Sequence, residues 1–194
     1  MSPSPLVKRP LDLLYFVYFA FHIPITLSMA VQLFLPKESL PIKLQDFQAW
    51  YLEESGDPVL LGGFGRIGQP GIFAWCNVYL YIETFAQLPM FFIALYGLRK
   101  ASTRINALIA MYAASAVTSI VACLASIYTL PTTSDLTAKE GIISLTEKQR
   151  TMLLQSYAPM FAVATIMMLD MGWRTYNAVE AGLKLTKQGE KKST

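Results

Sequence analysis

The chain has 194 residues, of which 54% are hydrophobic, and a formal net charge of +3; its mean hydropathy is +0.40. That is too apolar for an ordinary soluble domain and fits a small polytopic membrane protein. With so small a charge and no basic patch interleaved with exposed aromatics, no nucleic-acid partner is expected.

The first predicted element covers 11–35 and is apolar nearly all round. At ~1.5 Å per residue it is long enough to cross ~30 Å of hydrocarbon. Lys8 and Arg9 precede it as they would a signal peptide. The apolar run is too long for that reading and no small-residue cleavage site follows, so a retained helix is expected. It carries His22, the one histidine of the protein, with Thr26 four residues on and Pro24 between them. Tyr15 and Tyr18 extend the same side. Pro24 frees a backbone carbonyl nearby, so His22 reads either as a packed, hydrogen-bonded histidine or as a pocket residue.

The connection 36–71 is the longest. Asp46 to Leu52 reads as a short amphipathic helix at the membrane surface, with Trp50 and Tyr51 as interface anchors. Gly56-Asp57-Pro58 ends it, and there Asp57 supplies turn chemistry. The glycine-rich stretch 62–71 lacks the spacing of a phosphate loop and predicts a hinge or lid.

The second span, 72–98, contains Glu83 and no basic residue before Arg99. An acidic residue mid-membrane costs on the order of 3 kcal/mol on insertion scales, so it is kept where it faces a cavity, a ligand or a proton path. Tyr79, Glu83 and Gln87 follow an i, i+4, i+8 spacing that puts them on one helix face, and Pro89 distorts the helix just beyond. This polar stripe predicts an intramembrane pocket. A neutral Glu83 would donate to a hydroxyl or carbonyl; an ionised one would pair with an amine. The third span, 105–130, offers Tyr112, Ser115, Thr118 and Ser119, small hydroxyls that often serve packing.

Ser144 and Glu147 predict a capping box at the start of the fourth span, 152–171, which carries Gln155, Tyr157 and Pro159. Asp170, close to Trp173 and Arg174, reads as half of a surface pair. Cys76 and Cys123 lie inside spans without metal spacing, so neither a metal site nor a cofactor is expected. The fold expected is an all-α membrane protein, a four-transmembrane-helix bundle whose kinked helices surround an intramembrane pocket. One domain, 1–173, is followed by a basic tail, 174–194.

Basic residues are biased to one side: Lys8, Arg9, Arg99, Lys100, Arg104, Arg174 and the lysines of the tail. The other side has Lys37, Lys43, Arg66, Lys139, Lys148 and Arg150, among many acids. The positive-inside rule then predicts both termini in the cytosol. In that topology Lys191 and Lys192, placed as Lys-Lys-x-x, read as an endoplasmic-reticulum retrieval signal.

Several strings occur in a telling order. They are Tyr18-Phe19-Ala20-Phe21-His22-Ile23-Pro24-Ile25-Thr26-Leu27, Leu35-Pro36-Lys37-Glu38, Trp50-Tyr51, Asp57-Pro58, Glu83 with Gln87-Leu88-Pro89, and Tyr157-Ala158-Pro159. Together they resemble the sigma-2-receptor-like group of the EXPERA family, which also contains the emopamil-binding sterol isomerase. The resemblance implies a four-helix protein of the endoplasmic reticulum, often a homodimer, with a deep, lipid-accessible pocket for sterols and amphiphilic amines. It implies Glu83, Gln87, Tyr112 and Tyr157 as pocket residues, with Asp57 supporting the ligand-binding carboxylate. Adding His22, Thr26 and Ser119 completes the candidate ligand-binding set. Ala30 stands where the sigma-2-like pattern has an aspartate for cationic amines, which shifts the expectation toward a neutral sterol or lipid. The leading expectation is a non-enzymatic binder in sterol homeostasis or trafficking. The alternative is a sterol or terpenoid isomerase or cyclase with Glu83 and His22 as acid–base groups. Against it, Thr26 replaces the first-helix glutamate of the isomerase pattern. A third reading is a trafficking partner of a larger membrane protein.

Overall fold

Hydropathy sets the architecture. The computed structural model describes residues 4–69 and 71–193, with the backbone alone at 37 and 189–193. Among these residues four helical stretches are long and apolar enough to cross a membrane: Pro10–Leu33, Ala74–Arg99, Thr103–Thr129 and Glu147–Gln188. The chain is therefore an all-α, multi-pass membrane bundle, as its sequence predicts. The ends of the first and last spans and the short link 100–102 share one end of the bundle, called here the terminal end. The longer connections share the other, the loop end.

Helix α1 (Pro10–Met29) starts on a proline, whose fixed φ suits the first helical position, and passes through Pro24. The connection to the second span folds into α2 (Ile42–Ser55) and the short α3 (Pro58–Gly63). Gly56 ends α2 at φ +56, a left-handed conformation that costs glycine nothing. The glycine-rich stretch departs from expectation. Gly62 and Gly63 are helical and buried, with Gly62 against the Phe73 ring, and turns and bends follow over 64–69.

The second span is α4 (Ala74–Ile82), a wide π turn (Glu83–Gln87) and α5 (Leu88–Arg99). The Leu88 amide donates to the Glu83 carbonyl, five residues back. Pro89 has no amide to donate and its ring would crowd the carbonyl four residues earlier in a regular helix. The wide turn absorbs that conflict, and such turns recur at functional sites. Gly97 lets this span approach the third closely; a Cβ there would lie 2.5 Å from the Ile105 side chain.

Helix α6 (Asn106–Thr129), the short α7 (Asp135–Lys139) and α8 (Glu147–Ser193) complete the chain. Helix α8 begins two residues later than the predicted capping box. Thr146 is its cap, with the Gln149 amide donating to Thr146 Oγ1 at 3.2 Å and the Thr146 amide donating back to Gln149 Oε1 at 3.0 Å. The helix continues unbroken through the predicted tail. The retrieval signal at Lys191 and Lys192 rests on side chains outside the described residues.

Two apolar clusters hold the bundle. One, nearer the terminal end, contains Tyr15, Phe19, Phe91, Ile109, Tyr112 and Met167. The other, at the loop end, contains Met29, Ala30, Leu52, Val59, Cys76 and Leu80. Arg150 fastens α8 to α6. Its guanidinium donates to the carbonyls of Ile127 at 2.6 Å and Leu130 at 2.7 Å, at the negative end of the α6 dipole. Replacing it leaves charged-strength hydrogen bonds unmade. Arg150→Leu should lower stability by about 2 kcal/mol. Lys148→Leu, which breaks only an exposed 3.6 Å pair with Glu54, should cost less than about 0.5 kcal/mol. Thermal unfolding in detergent checks both, and equal losses would contradict this account.

Candidate functional site

Between the two apolar clusters lies a cavity of about 620 Å3. All four spans and α2 contribute to its wall. Most of the wall is aliphatic or aromatic, and its polar groups converge from all four spans. Tyr79, Glu83 and Gln87 all line it, as their spacing predicts, and the π turn keeps Glu83 and Gln87 on the same side.

Glu83 is held from α1. Thr26, fully buried, donates to Glu83 Oε1 at 2.6 Å. His22 Nε2 stands 3.9 Å from the same oxygen, too far for a hydrogen bond. Glu83 Oε2 has no protein partner among the described residues. Around this carboxyl, the Tyr18 and Tyr112 hydroxyls lie 3.1 Å apart, and Gln87 donates to Ser115 at 3.1 Å. Ser119 also lines the cavity, although its hydroxyl donates to the Ala116 carbonyl of its own helix. His22 packs against the Tyr18 and Phe91 rings with centroids 5.1 Å and 5.3 Å away.

Asp57 organises the loop end. One oxygen accepts from the amides of Val59 at 2.9 Å and Leu60 at 3.2 Å, which caps α3. The other accepts from the Tyr157 hydroxyl at 2.7 Å and from Tyr51 at 3.4 Å. Asp57 is fully buried and makes no contact with Glu83; it holds Tyr157, which lines the cavity. Thr26 and Asp57 therefore stand behind the wall, whereas His22, Glu83, Gln87, Tyr112, Ser119 and Tyr157 form part of it.

The cavity reaches the outer surface, where lining residues including Phe21 and Ile82 are exposed. At the terminal end α1 and α8 are clasped: Arg174 donates to Asp12 at 2.6 Å, and Tyr15 donates to Asp170 at 3.0 Å. Toward the loop end they part. Phe21 on α1 and Gln155 and Pro159 on α8 line the cavity and are also exposed on the outer surface. Phe47 and Trp50 of α2 border the same opening. The clasp revises one expectation. Asp170 does pair with Arg174, at 2.8 Å, but the pair is part-buried in a network across α1 and α8 that Tyr15 joins. The lining by Cys76 and Cys123, and the Tyr51 hydrogen bond to Asp57, were not expected either. Their only signal was position on faces that the fold turns inward.

Burial pushes the Asp57 carboxyl above its ordinary value of 3.8, against the hydrogen bonds from Tyr157 and the two amides that pull it down. A group raised on folding contributes stability that is complete below 3.8 and is lost as pH rises through the raised value. Asparagine keeps the cap and a partner for Tyr157, so Asp57→Asn should flatten the decline in melting temperature as pH rises above 3.8. Asp57→Ala, which loses cap and partner, should lower stability by about 1–2 kcal/mol. A slope unchanged in the asparagine variant would contradict this.

These residues fall within a recognisable family. The model of EXPERA, the expanded EBP superfamily, matches residues 43–171. The chain is 31% identical over 169 residues to sigma intracellular receptor 2 of Homo sapiens, covering 87% of this chain and 90% of that one. It is 31% identical over 168 residues to the Macaca fascicularis protein of the same name, covering 86% and 90%. For the Xenopus tropicalis protein the figures are 31% over 166 residues, 84% and 88%. A match that takes in α2 through most of the membrane part of α8, with relatives aligned along most of both chains, shows that the protein belongs to the EXPERA superfamily.

Proposed function

We propose that this chain is a receptor-like binding protein that holds a sterol or another neutral amphiphilic lipid in its intramembrane cavity without transforming it. The observation that carries the reading is the cavity itself: about 620 Å3, apolar over most of its wall, with one cluster of polar groups around Glu83. That size lies within the ~300–1,000 Å3 of small-molecule sites, where a few placed polar groups orient an otherwise apolar ligand. The free Oε2 of Glu83, the Tyr18–Tyr112 pair and Gln87 suit a single hydroxyl or carbonyl. The aliphatic remainder suits a rigid hydrocarbon body, and the flank between α1 and α8 suits entry from the bilayer. Ala30 is fully buried in the loop-end cluster and brings no second carboxylate to a cationic ligand. We place the protein in the endoplasmic-reticulum membrane, as the family resemblance implies, with cytosolic termini on the basic bias of one side, and assign it to sterol homeostasis or trafficking. A homodimer, implied by the family resemblance, belongs to the same proposal.

A second reading has one observation in its favour: His22 and Glu83 approach to 3.9 Å. Two acid–base groups could move a ring double bond by protonating one carbon and deprotonating another. Thr26, bonded to Glu83, stands where a further carboxyl would serve that chemistry.

Mass spectrometry of lipids retained by the purified protein separates these readings. Wild type should keep a defined sterol-like molecule, and Glu83→Gln should keep about tenfold less, the value of one hydrogen bond to a carboxyl group. The retained molecule should leave the protein chemically unchanged. Its conversion by wild type, lost in Glu83→Gln, would put the isomerase reading first. Bulk phospholipid alone in both proteins would sink the cavity assignment.

A further inference from the structure

A second cavity, about 390 Å3, sits at the terminal end and shares no lining residue with the first. Its wall comprises Arg9, Asp12, Ser102, Thr103, Asn106, Arg174 and Asn177, with Leu98, Ala101 and Ala178 as apolar neighbours. Asp12 lies between the two arginines; Arg9 and Arg174 both donate to it, and Arg174 also pairs with Asp170 at 2.8 Å. These carboxylates hold the guanidiniums in place at the edge of the cleft.

Three features make the cleft attractive to an anion. First, the long third span begins here. Ser102 is the residue before its first turn and its side chain does not cap it. The leading amides of that span are therefore without a side-chain partner, at the positive end of its dipole. Second, Asn106 is 8% exposed, lines the cleft, and its side chain makes no hydrogen bond among the described residues. Its amide atoms are not among the buried unpartnered ones, so they keep surface open to the cleft and are available to a ligand or solvent there. Third, Arg99, Lys100 and Arg104 stand exposed on the adjoining link, and Lys8 just before Arg9, with no acidic partner among the described residues. Asp12, the carboxylate in the cleft wall, and Asp170 behind Arg174 are already matched by Arg9 and Arg174, so the unmatched charge nearby is positive.

The location narrows the anion. The exposed rings of Trp173 and Tyr176 stack with centroids 5.9 Å apart, flanking Arg174 on α8. Exposed aromatics of this kind sit at the level of lipid headgroups. We propose that this cleft binds the phosphate of an anionic phospholipid, with Asn106, Ser102, Thr103 and the first-turn amides as donors and the arginine pair as the charged rim. It is a site separate from the sterol cavity, and it tethers α1, α6 and α8 to the headgroup layer at the terminal end of the bundle.

The test uses the full chain in detergent with native mass spectrometry. The probes are dioleoylphosphatidic acid and dioleoylglycerol, which share tails and differ by the phosphate. Two variants address the cleft. Ala178→Phe fills it from an exposed position without removing a polar group, and Asn106→Leu removes the buried amide. Wild type should retain phosphatidic acid over the diacylglycerol, and a variant that keeps its melting temperature should lose about tenfold of that retention. Loss in either folded variant supports the site. If inorganic phosphate stabilises wild type but not Asn106→Leu while no lipid is retained, the phosphoryl site stands and its source is soluble. Equal retention of the two lipids, or wild-type retention in both variants with no effect of inorganic phosphate, would overturn the proposal.

Discussion

The hydrogen bond from Thr26 to Glu83 is the interaction on which the rest of the structure turns. A carboxyl group inside hydrocarbon needs a partner, and no basic residue on its own span can supply one. A threonine on α1 does so at 2.6 Å, which fixes the rotation of both helices. Once that register is set, His22 and Tyr18 of α1 and Gln87 of the second span face the same space. The π turn serves the same end, because it accommodates Pro89 without turning Glu83 and Gln87 onto different faces.

Each end of the bundle is then closed by different chemistry. At the terminal end, Asp12, Arg174, Asp170 and Tyr15 clasp α1 to α8. At the loop end, Asp57 gathers α2, α3 and α8 through Tyr51, two amides and Tyr157. Neither group lies in the span between the ends, so α1 and α8 are free to part there. The opening is a consequence of where the polar groups sit. Buried polar groups in this bundle are almost all matched; among the described residues the unpartnered buried oxygens are those of Asn77 and Thr84.

Much of this was legible in the sequence. Four long apolar runs predict four spans, because hydrocarbon thickness and helical rise leave little choice. Glu83 announces itself as a solitary acid, and period-four spacing puts Tyr79 and Gln87 beside it. What local pattern cannot supply is partnership across the fold. Thr26 and Glu83 are 57 residues apart, Tyr157 and Asp57 100, and Arg174 and Asp12 162. Asp170 looked like a surface residue because its neighbours Trp173 and Arg174 are what the sequence shows near it. The capping box was misplaced by two residues because Ser144 and Thr146 both begin plausible boxes, and only the hydrogen bonds of Gln149 decide between them. The cleft around Asn106 has no local signature, since it is assembled from the start of the first span, the link between the second and third, and the middle of α8.

The central claim is that an amphiphilic lipid resides inside the bundle beside Glu83. Photolabelling of the protein in lipid nanodiscs with a diazirine-bearing sterol, followed by peptide mapping, tests it most directly. The account predicts adducts on cavity-lining residues such as Ile25, Leu80, Ile120 and Met160, suppressed by excess unlabelled sterol. Adducts spread over outward-facing Val17, Phe92 and Ile93, with no such suppression, would contradict it.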